Sequence, residues 1–256
     1  MSDFEGQMRE YLPTLKSTLV NDIGDWVVKG FIDTYHNIYT ISADTKVISK
    51  LIELMLFPLF SEFANQYGYE LHLAEHQNFY PDITFISRDG EKTAFDLKST
   101  YRKSASRVSG FTLGAFTGYF RQRDSTKNIS FPYREYSHHF VLGIIYSRSD
   151  FPLDERKVFR LEQLKDIQSV ALDFEFLVHE KWKIATDRPG SGNTKNIGSV
   201  NNIADLVNGK GSFASLGKNI FDHYWMNYLT PDMARAIESA VSYRNIDEYL
   251  KWRSGI

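Results

Sequence analysis

The stretch NFYPDITFISRDGEKTAFDLKSTY, which runs from Asn78 to Tyr101, is the part of the sequence that decides the fold. Two apolar runs flank the tripeptide Arg88-Asp89-Gly90, an arrangement typical of a β-hairpin. Two aspartates and a lysine lie among the apolar residues of the predicted strands, at Asp82, Asp96 and Lys98. Charges in half-buried strands need a partner or solvent, so their positions bear on function as well as on fold.

The length of the turn determines which face of the hairpin carries each charge. A two-residue loop of Asp89-Gly90 would put Asp82 and Asp96 on opposite faces, because side chains alternate along a strand. A three-residue loop, Arg88-Asp89-Gly90, with its glycine in the left-handed conformation, places the two aspartates directly opposite each other. Lys98 then shares their face. We therefore predict the three-residue loop.

Two carboxylates that face each other across a hairpin repel, since their Cβ atoms lie about 5 Å apart. A bridging cation relieves the repulsion, and oxygen ligands favour Mg²⁺, which keeps several waters and also binds phosphate oxygens. A neighbouring lysine can orient or deprotonate an attacking water, or stabilise developing negative charge. Asp82, Asp96 and Lys98 therefore indicate metal-assisted phosphodiester hydrolysis. The alternative is a solvated strand face that carries scattered charges.

Length and composition favour one large domain or two small ones with a substantial core, since 256 residues include 42% hydrophobic residues, 19 Phe and 15 Tyr. The absence of cysteine excludes disulfides and Cys-ligated zinc. The N-terminal sequence MSDFEGQMREYL lacks the basic and apolar regions of a signal peptide, and the run from Leu51 to Phe60 is too short to span a bilayer. We therefore expect a soluble, cytoplasmic protein.

The order of the elements predicts an α/β (α+β) fold, a central mixed β-sheet flanked by helices in a single domain over residues 1–256. Residues 4–22 are predicted to form a helix interrupted near Pro13. Asp44 is the expected N-cap of a helix that ends before Gly68 and that Pro58 kinks or divides. Residues 112–121 favour neither strand nor helix clearly. The other predictions are a hairpin over 27–42, strands at 69–75, 83–87, 93–99, 140–146 and 174–184, a loop at 190–198, and a helix over 231–252.

Charge is unevenly distributed although the formal net charge is only −2. From Leu97 to Arg123 there are six Lys or Arg residues and no acid, and from Arg188 to Ala204 there are two basic residues and no acid. A nearly neutral total is mild evidence against nucleic-acid binding. The clustering nevertheless allows one positive face, which a polyanion can bind.

Several segments resemble one known family in the same order along the chain. "YPD" and "FDLKSTY" resemble the PD-(D/E)xK nuclease motif, which is degenerate by itself. The segments SADTKVISKLIELMLFPLFSEFANQYGY, GFTLGAFTGYFRQRDSTKNISFPY and GSGNTKNIGS are more specific. Together they resemble the EcoRV family of type II restriction endonucleases over roughly residues 25–230. The resemblance is weak in the first 20 and the last 25 residues, and patchy from about 150 to 175.

The resemblance implies roles for four residues of the predicted site. Asp82 and Asp96 match the acidic residues that bind Mg²⁺ in the family, for which Mn²⁺ is a possible substitute, and Lys98 matches the lysine at the attacking water. Glu53 matches a further acid implicated near the metal. It interrupts an apolar run of a predicted helix, where an unpaired buried carboxylate is costly. The alternative is that Glu53 lies on the exposed side of that helix.

The resemblance also implies two DNA-reading loops. The segment Gly190-Ser191-Gly192-Asn193-Thr194 matches the loop that reads the major groove, where Asn can pair with adenine and a Thr methyl can contact thymine. Its composition alone would suit an ordinary surface loop. Lys195 departs from the family pattern, which has threonine there. Gln77 and Asn78 match a second loop near the minor groove. Matches to positions that approach the DNA backbone or support the site are Thr45, Ser49, Tyr101, Lys127 and Asn196.

The family's activity implies a type II site-specific deoxyribonuclease of a prokaryotic cell. Its site would be the palindrome GATATC, cut centrally to blunt ends, with DNA bent at the TA step. A homodimer matches a two-fold symmetric site, and residues 25–42 are the predicted dimerisation subregion. A cognate DNA methyltransferase is expected in the host. Two alternatives stay open: another PD-(D/E)xK nuclease acting in repair or on branched DNA, and a catalytically inactive, sequence-specific DNA-binding protein.

Met226 stands where the family has an arginine, which removes one backbone contact.

Overall fold

The computed structural model describes residues 3–149, 156–190 and 195–255. The helices are α1 Phe4–Leu19, α2 Thr45–Tyr67, α3 Lys181–Ile184, α4 Ile203–Val207, α5 Lys218–Asn227, α6 Pro231–Ala236 and α7 Ile246–Ser254. The strands are β1 Gly30–Ile32, β2 Ile38–Thr40, β3 Glu70–Leu73, β4 Ile83–Ile86, β5 Lys92–Ser104, β6 Arg107–Val108, β7 Thr112–Ala115, β8 Tyr136–Arg148, β9 Val158–Phe159, β10 Ala171–Glu180, β11 Ala185–Pro189 and β12 Asn196–Ser199. Short 3₁₀ segments lie at Gly118–Phe120, Tyr133–Glu135 and Leu161–Asp166.

The central sheet has the strand order β10-β8-β5-β4-β3, with β6 paired to β5. The β5–β8 pair is parallel and the other pairs are antiparallel, so the sheet is mixed as predicted. Strand β8 is buried along nearly its whole length because apolar layers cover both of its faces. Phe140 and Leu142 pack into the layer beside α1 and α2, whereas Val141 and Ile145 pack into the layer formed with the C-terminal elements.

The two N-terminal helices cover one face of the sheet, and their ends match local sequence signals. The carboxylate of Asp44 accepts hydrogen bonds from the first turn of α2, and Gly68 ends that helix with φ 75°, as predicted. Both helices run unbroken through their prolines, so the predicted interruption at Pro13 is wrong and Pro58 does not divide α2. Buried residues on either side of each proline hold the helix together by tertiary packing.

None of the helices in the described part of the chain combines the length and the apolar character that a bilayer crossing requires.

The structure resolves one ambiguous segment and corrects one further element prediction. Residues 112–121 contain β7 followed by a 3₁₀ turn, because Thr112–Ala115 pairs with β12 in a small sheet of order β11-β12-β7. The predicted helix over 231–252 is two helices, α6 and α7. Between them Tyr243 is buried, and its hydroxyl donates a hydrogen bond of 2.6 Å to the carbonyl of Tyr224. That inward anchor turns the chain out of helical geometry.

The predicted N-terminal hairpin exists, with shorter strands than expected. β1 and β2 pair antiparallel, and β2 also pairs with β9 to give a third small sheet. One face of this sheet packs inward through Ile38 and Phe159. The other face exposes Phe31, Tyr39 and Val158, which lie side by side because the register pairs each with the next.

Candidate active site and nucleic-acid interface

The turn of the β4–β5 hairpin is the predicted three-residue loop. Ile83 pairs with Phe95 and Ile86 with Lys92, and the Ser87 N–H donates to the Glu91 carbonyl at 2.9 Å. The loop is therefore Arg88-Asp89-Gly90, and Gly90 has φ 81°, in the left-handed region that glycine adopts without steric cost. The same register, continued by one residue, brings Asp82 opposite Asp96. This part of the prediction is confirmed.

The two aspartates bond to each other's strands through backbone amides. The N–H of Asp82 donates to Oδ1 of Asp96 at 3.2 Å, and the N–H of Leu97 donates to Oδ2 of Asp82 at 2.8 Å. The pairing of β4 with β5 begins at Ile83, opposite Phe95, and β5 continues alone beyond this point to Ser104 as far as β4 is concerned. The carboxylates therefore lie where these two strands separate. Each carboxylate is thus fixed by the backbone of the opposite strand.

Lys98 completes the cluster as a cation shared by both carboxylates. Its Nζ lies 3.0 Å from Oδ2 of Asp96 and 3.6 Å from Oδ2 of Asp82. Burial acts to lower the pKa of Lys98, but the charges of Asp96 and Asp82 outweigh burial and raise the pKa above its usual value. Burial, and then the charge of Asp96, raises the pKa of Asp82 to about 6. The ammonium group relieves only part of the repulsion between the carboxylates.

The raised pKa of Asp82 makes folding stability depend on pH in a defined window. Because the folded-state pKa, about 6, exceeds the usual 3.8, the folded protein binds this proton more tightly than the unfolded chain. This carboxyl therefore favours folding most below pH 4, and that contribution is lost as pH rises through 6. We expect Asp82→Asn to stabilise the metal-free protein by about 3 kcal/mol at pH 7 and by only about 0.5 kcal/mol at pH 4.

Urea unfolding of the metal-free wild type and Asp82→Asn at several pH values between 4 and 7 measures this effect. Asp89→Asn changes an exposed aspartate in the turn of the same hairpin and is the matched control. An Asp82→Asn protein with the same stability difference at pH 4 and pH 7 would contradict the assignment.

Glu53 lies beside the carboxylate pair but outside it. Together with Ser49, Asp82 and Lys98 it lines a cavity of about 100 Å³. Its carboxylate is half-buried and pairs with Lys50 at 2.7 Å, so neither a fully buried nor a fully exposed Glu53 is observed. Lys50 is not among the predicted site residues, although its position three residues before Glu53 on a helix is enough to predict this ion pair.

The donor set suits a cation that keeps much of its own hydration. Within the described ranges, no group of three or more His, Cys, Asp or Glu side chains is close enough together to form a metal site. Asp82 supplies a carboxylate at the wall of the small cavity, and the buried carboxylate of Asp96 contacts the same lysine, Lys98. Mg²⁺ is usually bound in this way, by one or two carboxylates together with waters and a substrate phosphate. The residues present therefore fit Mg²⁺ bound jointly with a phosphate.

Of the predicted major-groove loop the structure describes only the two ends. Gly190 donates its N–H to the Asn196 carbonyl at 2.8 Å, and Lys195 accepts a hydrogen bond from the Phe116 N–H at 3.0 Å. Both ends are therefore tied to neighbouring strands, β12 and the segment after β7. The remaining predicted residues of this loop lie outside the described part of the chain: Ser191, Gly192, Asn193 and Thr194.

The other predicted DNA-facing residues lie at several places on the molecule. Gln77 and Asn78 are exposed in the loop between β3 and β4, which leads directly to Asp82. Thr45 is the first residue of α2, and the hydroxyl of Ser49, one turn later, is 2.7 Å from that of Ser99 on β5. The remaining positions are Tyr101, whose ring lies 3.6 Å from the Arg148 guanidinium carbon, Lys127 in an exposed loop, and Asn196 at the start of β12.

Comparison with known proteins identifies the family of this chain. The family model described as "Restriction endonuclease EcoRV" matches residues 22–254. The "Type II restriction enzyme EcoRV" of Escherichia coli is 35% identical over 246 residues, which cover 93% of this chain and 97% of that enzyme. The mixed sheet, its carboxylate hairpin and these matches define a type II restriction endonuclease, a site-specific deoxyribonuclease that acts on double-stranded DNA. The chain belongs to the EcoRV endonuclease family.

Proposed function

We propose that this endonuclease cleaves the palindrome GATATC at its centre, leaving blunt ends, and that it requires Mg²⁺. The observation that carries the metal-dependent step is the cluster of Asp82, Asp96 and Lys98, in which two facing carboxylates share one ammonium group. The sequence Gly190-Ser191-Gly192-Asn193-Thr194 supports the choice of site, because its five residues match the family's recognition loop without a change.

The proposed division of labour follows from the position of each group. Asp82 and Asp96 would hold Mg²⁺, with Glu53 reaching the cavity from α2. The bound ion would stabilise negative charge on the phosphate and lower the pKa of an attacking water. Lys98, held between the carboxylates, would offset part of their repulsion and stabilise the charge that develops on the phosphate.

DNA would be read by two loops and held by scattered backbone contacts. The loop at 190–194, with Lys195 beside it, would read base edges in the major groove, while Gln77 and Asn78 would approach the minor groove. Backbone contacts position the protein without encoding sequence. We assign them to Thr45, Ser49, Tyr101, Lys127 and Asn196. Specificity at the centre would come from the TA step, which is easily kinked.

We further propose that the chain acts as one nuclease domain and forms a homodimer through the region 25–42, extended by β9. The support is the exposed apolar stripe of Phe31, Tyr39 and Val158 across the β1-β2-β9 sheet. An exposed stripe of this kind on an edge sheet usually marks an interaction surface. A dimer carries one site for each strand of a palindrome. A methyltransferase that protects the same site in the host would be the expected companion enzyme.

The double substitution Phe31→Ser/Val158→Ser tests the stripe. We expect the dimer dissociation constant to rise by about 10-fold to 100-fold, because two apolar anchors are lost from the centre of the interface. Sedimentation of the purified protein over a range of concentrations measures the change. Ile237→Ser, at an exposed apolar position at the end of α6 and outside the region 25–42, is the control. If the double variant dissociates over the same concentration range as the wild type, the interface lies elsewhere.

Digestion of a mapped plasmid tests the proposed activity as a whole. Discrete blunt cuts at GATATC that require Mg²⁺, with binding but no cutting in Ca²⁺, are the expected result once the ends are sequenced. Cutting at another discrete sequence would overturn the site while leaving the metal requirement intact. Nicking at branched or damaged structures would favour a repair nuclease, and binding without any cutting would favour a DNA-binding protein.

A further inference from the structure

Lys181 is a buried charge beside the carboxylate cluster. It is the first residue of α3, directly after β10, and only 2% of its surface is exposed. Within the described part of the chain its Nζ has no hydrogen-bond partner. An ammonium group in such a place costs folding free energy, because water is lost and no paired anion replaces it.

The strand register places Lys181 on the face of the sheet that carries Asp96. Glu180 pairs with Phe140, and Phe140 pairs with Phe95. Continued by one residue, the antiparallel register brings Lys181 beside His139 and Ala94, two rows from Asp96 and on the same face. Burial lowers the pKa of Lys181 to about 8, while the charge of Asp96 acts to raise it. Lys181 is therefore mostly protonated at pH 7, and its charge is felt at Asp96.

Aromatic rings hold this ammonium group in place. Nζ lies 4.4 Å from the centre of the Tyr80 ring and 6.0 Å from that of Tyr133, within the range of a cation–π interaction. Tyr80 precedes Asp82 by two residues and stacks on Tyr119 at 5.3 Å. Gly114 of β7 also lies close to the ammonium group, since a Cβ atom added to this glycine would be 3.6 Å from Nζ.

The charges around the site balance when Lys181 is counted. Asp82 and Asp96 contribute two negative charges, and Lys98 and Lys181 contribute two positive charges, so the four groups are formally neutral. A dication entering a neutral cluster gains less electrostatic energy than one entering a cluster with a net negative charge. A DNA phosphate would add the missing negative charge.

We propose that Lys181 is a positioning residue whose buried ammonium group offsets the charge of Asp96 and so weakens divalent-cation binding to the Asp82–Asp96 pair before DNA is present. This inference rests on the metal-binding role proposed above for that pair. Because of the charge of Lys181, the metal would bind more tightly once a DNA phosphate is bound at the site.

Calorimetric titration of Mn²⁺ into the DNA-free, full-length protein tests the inference. We expect Lys181→Met to bind Mn²⁺ roughly tenfold more tightly than the wild type, because one buried positive charge is removed. The variant should also melt at a temperature equal to or above that of the wild type in metal-free buffer. A merely structural role would give the reverse of both results. Lys181→Gln is a second neutral variant, with the same expected direction.

Two further variants separate the possible failures. Lys183→Met removes a charge two residues along the chain, where the lysine pairs with Glu5 at 3.1 Å, and should leave Mn²⁺ affinity unchanged. Asp96→Asn should lose Mn²⁺ binding, and if it does not, the proposed metal site itself is wrong. If Asp96→Asn loses binding but the Lys181 variants bind no more tightly than the wild type, only the Lys181 inference fails. Undetectable binding in both the wild type and the Lys181 variants also overturns it.

Discussion

Asp96→Ala is expected to lower the single-turnover rate of DNA cleavage roughly ten-thousand-fold or more, the scale typical of losing one essential catalytic group. The substitution removes a carboxylate that accepts hydrogen bonds from the Asp82 N–H and from Lys98. Without it, one of the two proposed metal ligands is lost. DNA binding in Ca²⁺ should stay within a few-fold of the wild type, because Asp96 is itself almost fully buried.

Cleavage of a duplex containing GATATC and fluorescence anisotropy of the same duplex provide the two measurements. Asp89→Ala, in the exposed turn of the same hairpin, controls for the loss of a carboxylate as such and should cleave normally. An Asp96→Ala enzyme that still cuts at a rate near that of the wild type would remove this hairpin from the mechanism.

Lys98→Met is expected to lower the cleavage rate by about a thousand-fold, within the range reported for losing a single electrostatic stabiliser. Lys98 is held by two carboxylates whose charges raise its pKa in the metal-free protein, which favours the ammonium form there. A protonated lysine cannot accept a proton from water. Lys98→Arg, which keeps the charge, should therefore retain distinctly more activity than Lys98→Met.

The comparison of the two variants decides between stabiliser and base. If both variants lose the same factor in cleavage rate, and if the rate rises with pH only in the wild type, Lys98 acts as the general base. Lys92→Met is the matched control, since Lys92 lies on the same strand and pairs with Glu135 at 3.0 Å, remote from the aspartates in the register. It should cleave at the wild-type rate.

Local chemistry made the central hairpin and α2 predictable from the sequence. Gly90 suits a left-handed position, and that one preference fixes the register that brings Asp82 opposite Asp96. Asp44 and Gly68 bound α2 through equally local hydrogen bonds and backbone preferences. These signals operate within a few residues, so no tertiary information is needed to interpret them.

Local patterns were wrong or uninformative where long-range contacts outweigh local preference. Residues between α6 and α7 include good helix formers, but burial of Tyr243 against Tyr224 requires the chain to turn there. Thr112–Ala115 becomes a strand because β12 offers it hydrogen bonds from more than 80 residues away. No local pattern marks Lys181, because lysine is rarely buried without a partner, and its burial is a property of the folded chain alone.

The crossed bonds between the aspartates and the opposite strands give the molecule two built-in spectroscopic reporters. A cation that draws on Oδ1 of Asp96 or Oδ2 of Asp82 competes for the oxygens that the Asp82 and Leu97 amides now use. The resonances of these two amide protons should therefore shift, and their exchange with solvent should quicken, as the site is loaded. Occupancy can be followed at the backbone itself, in a sample that cuts nothing.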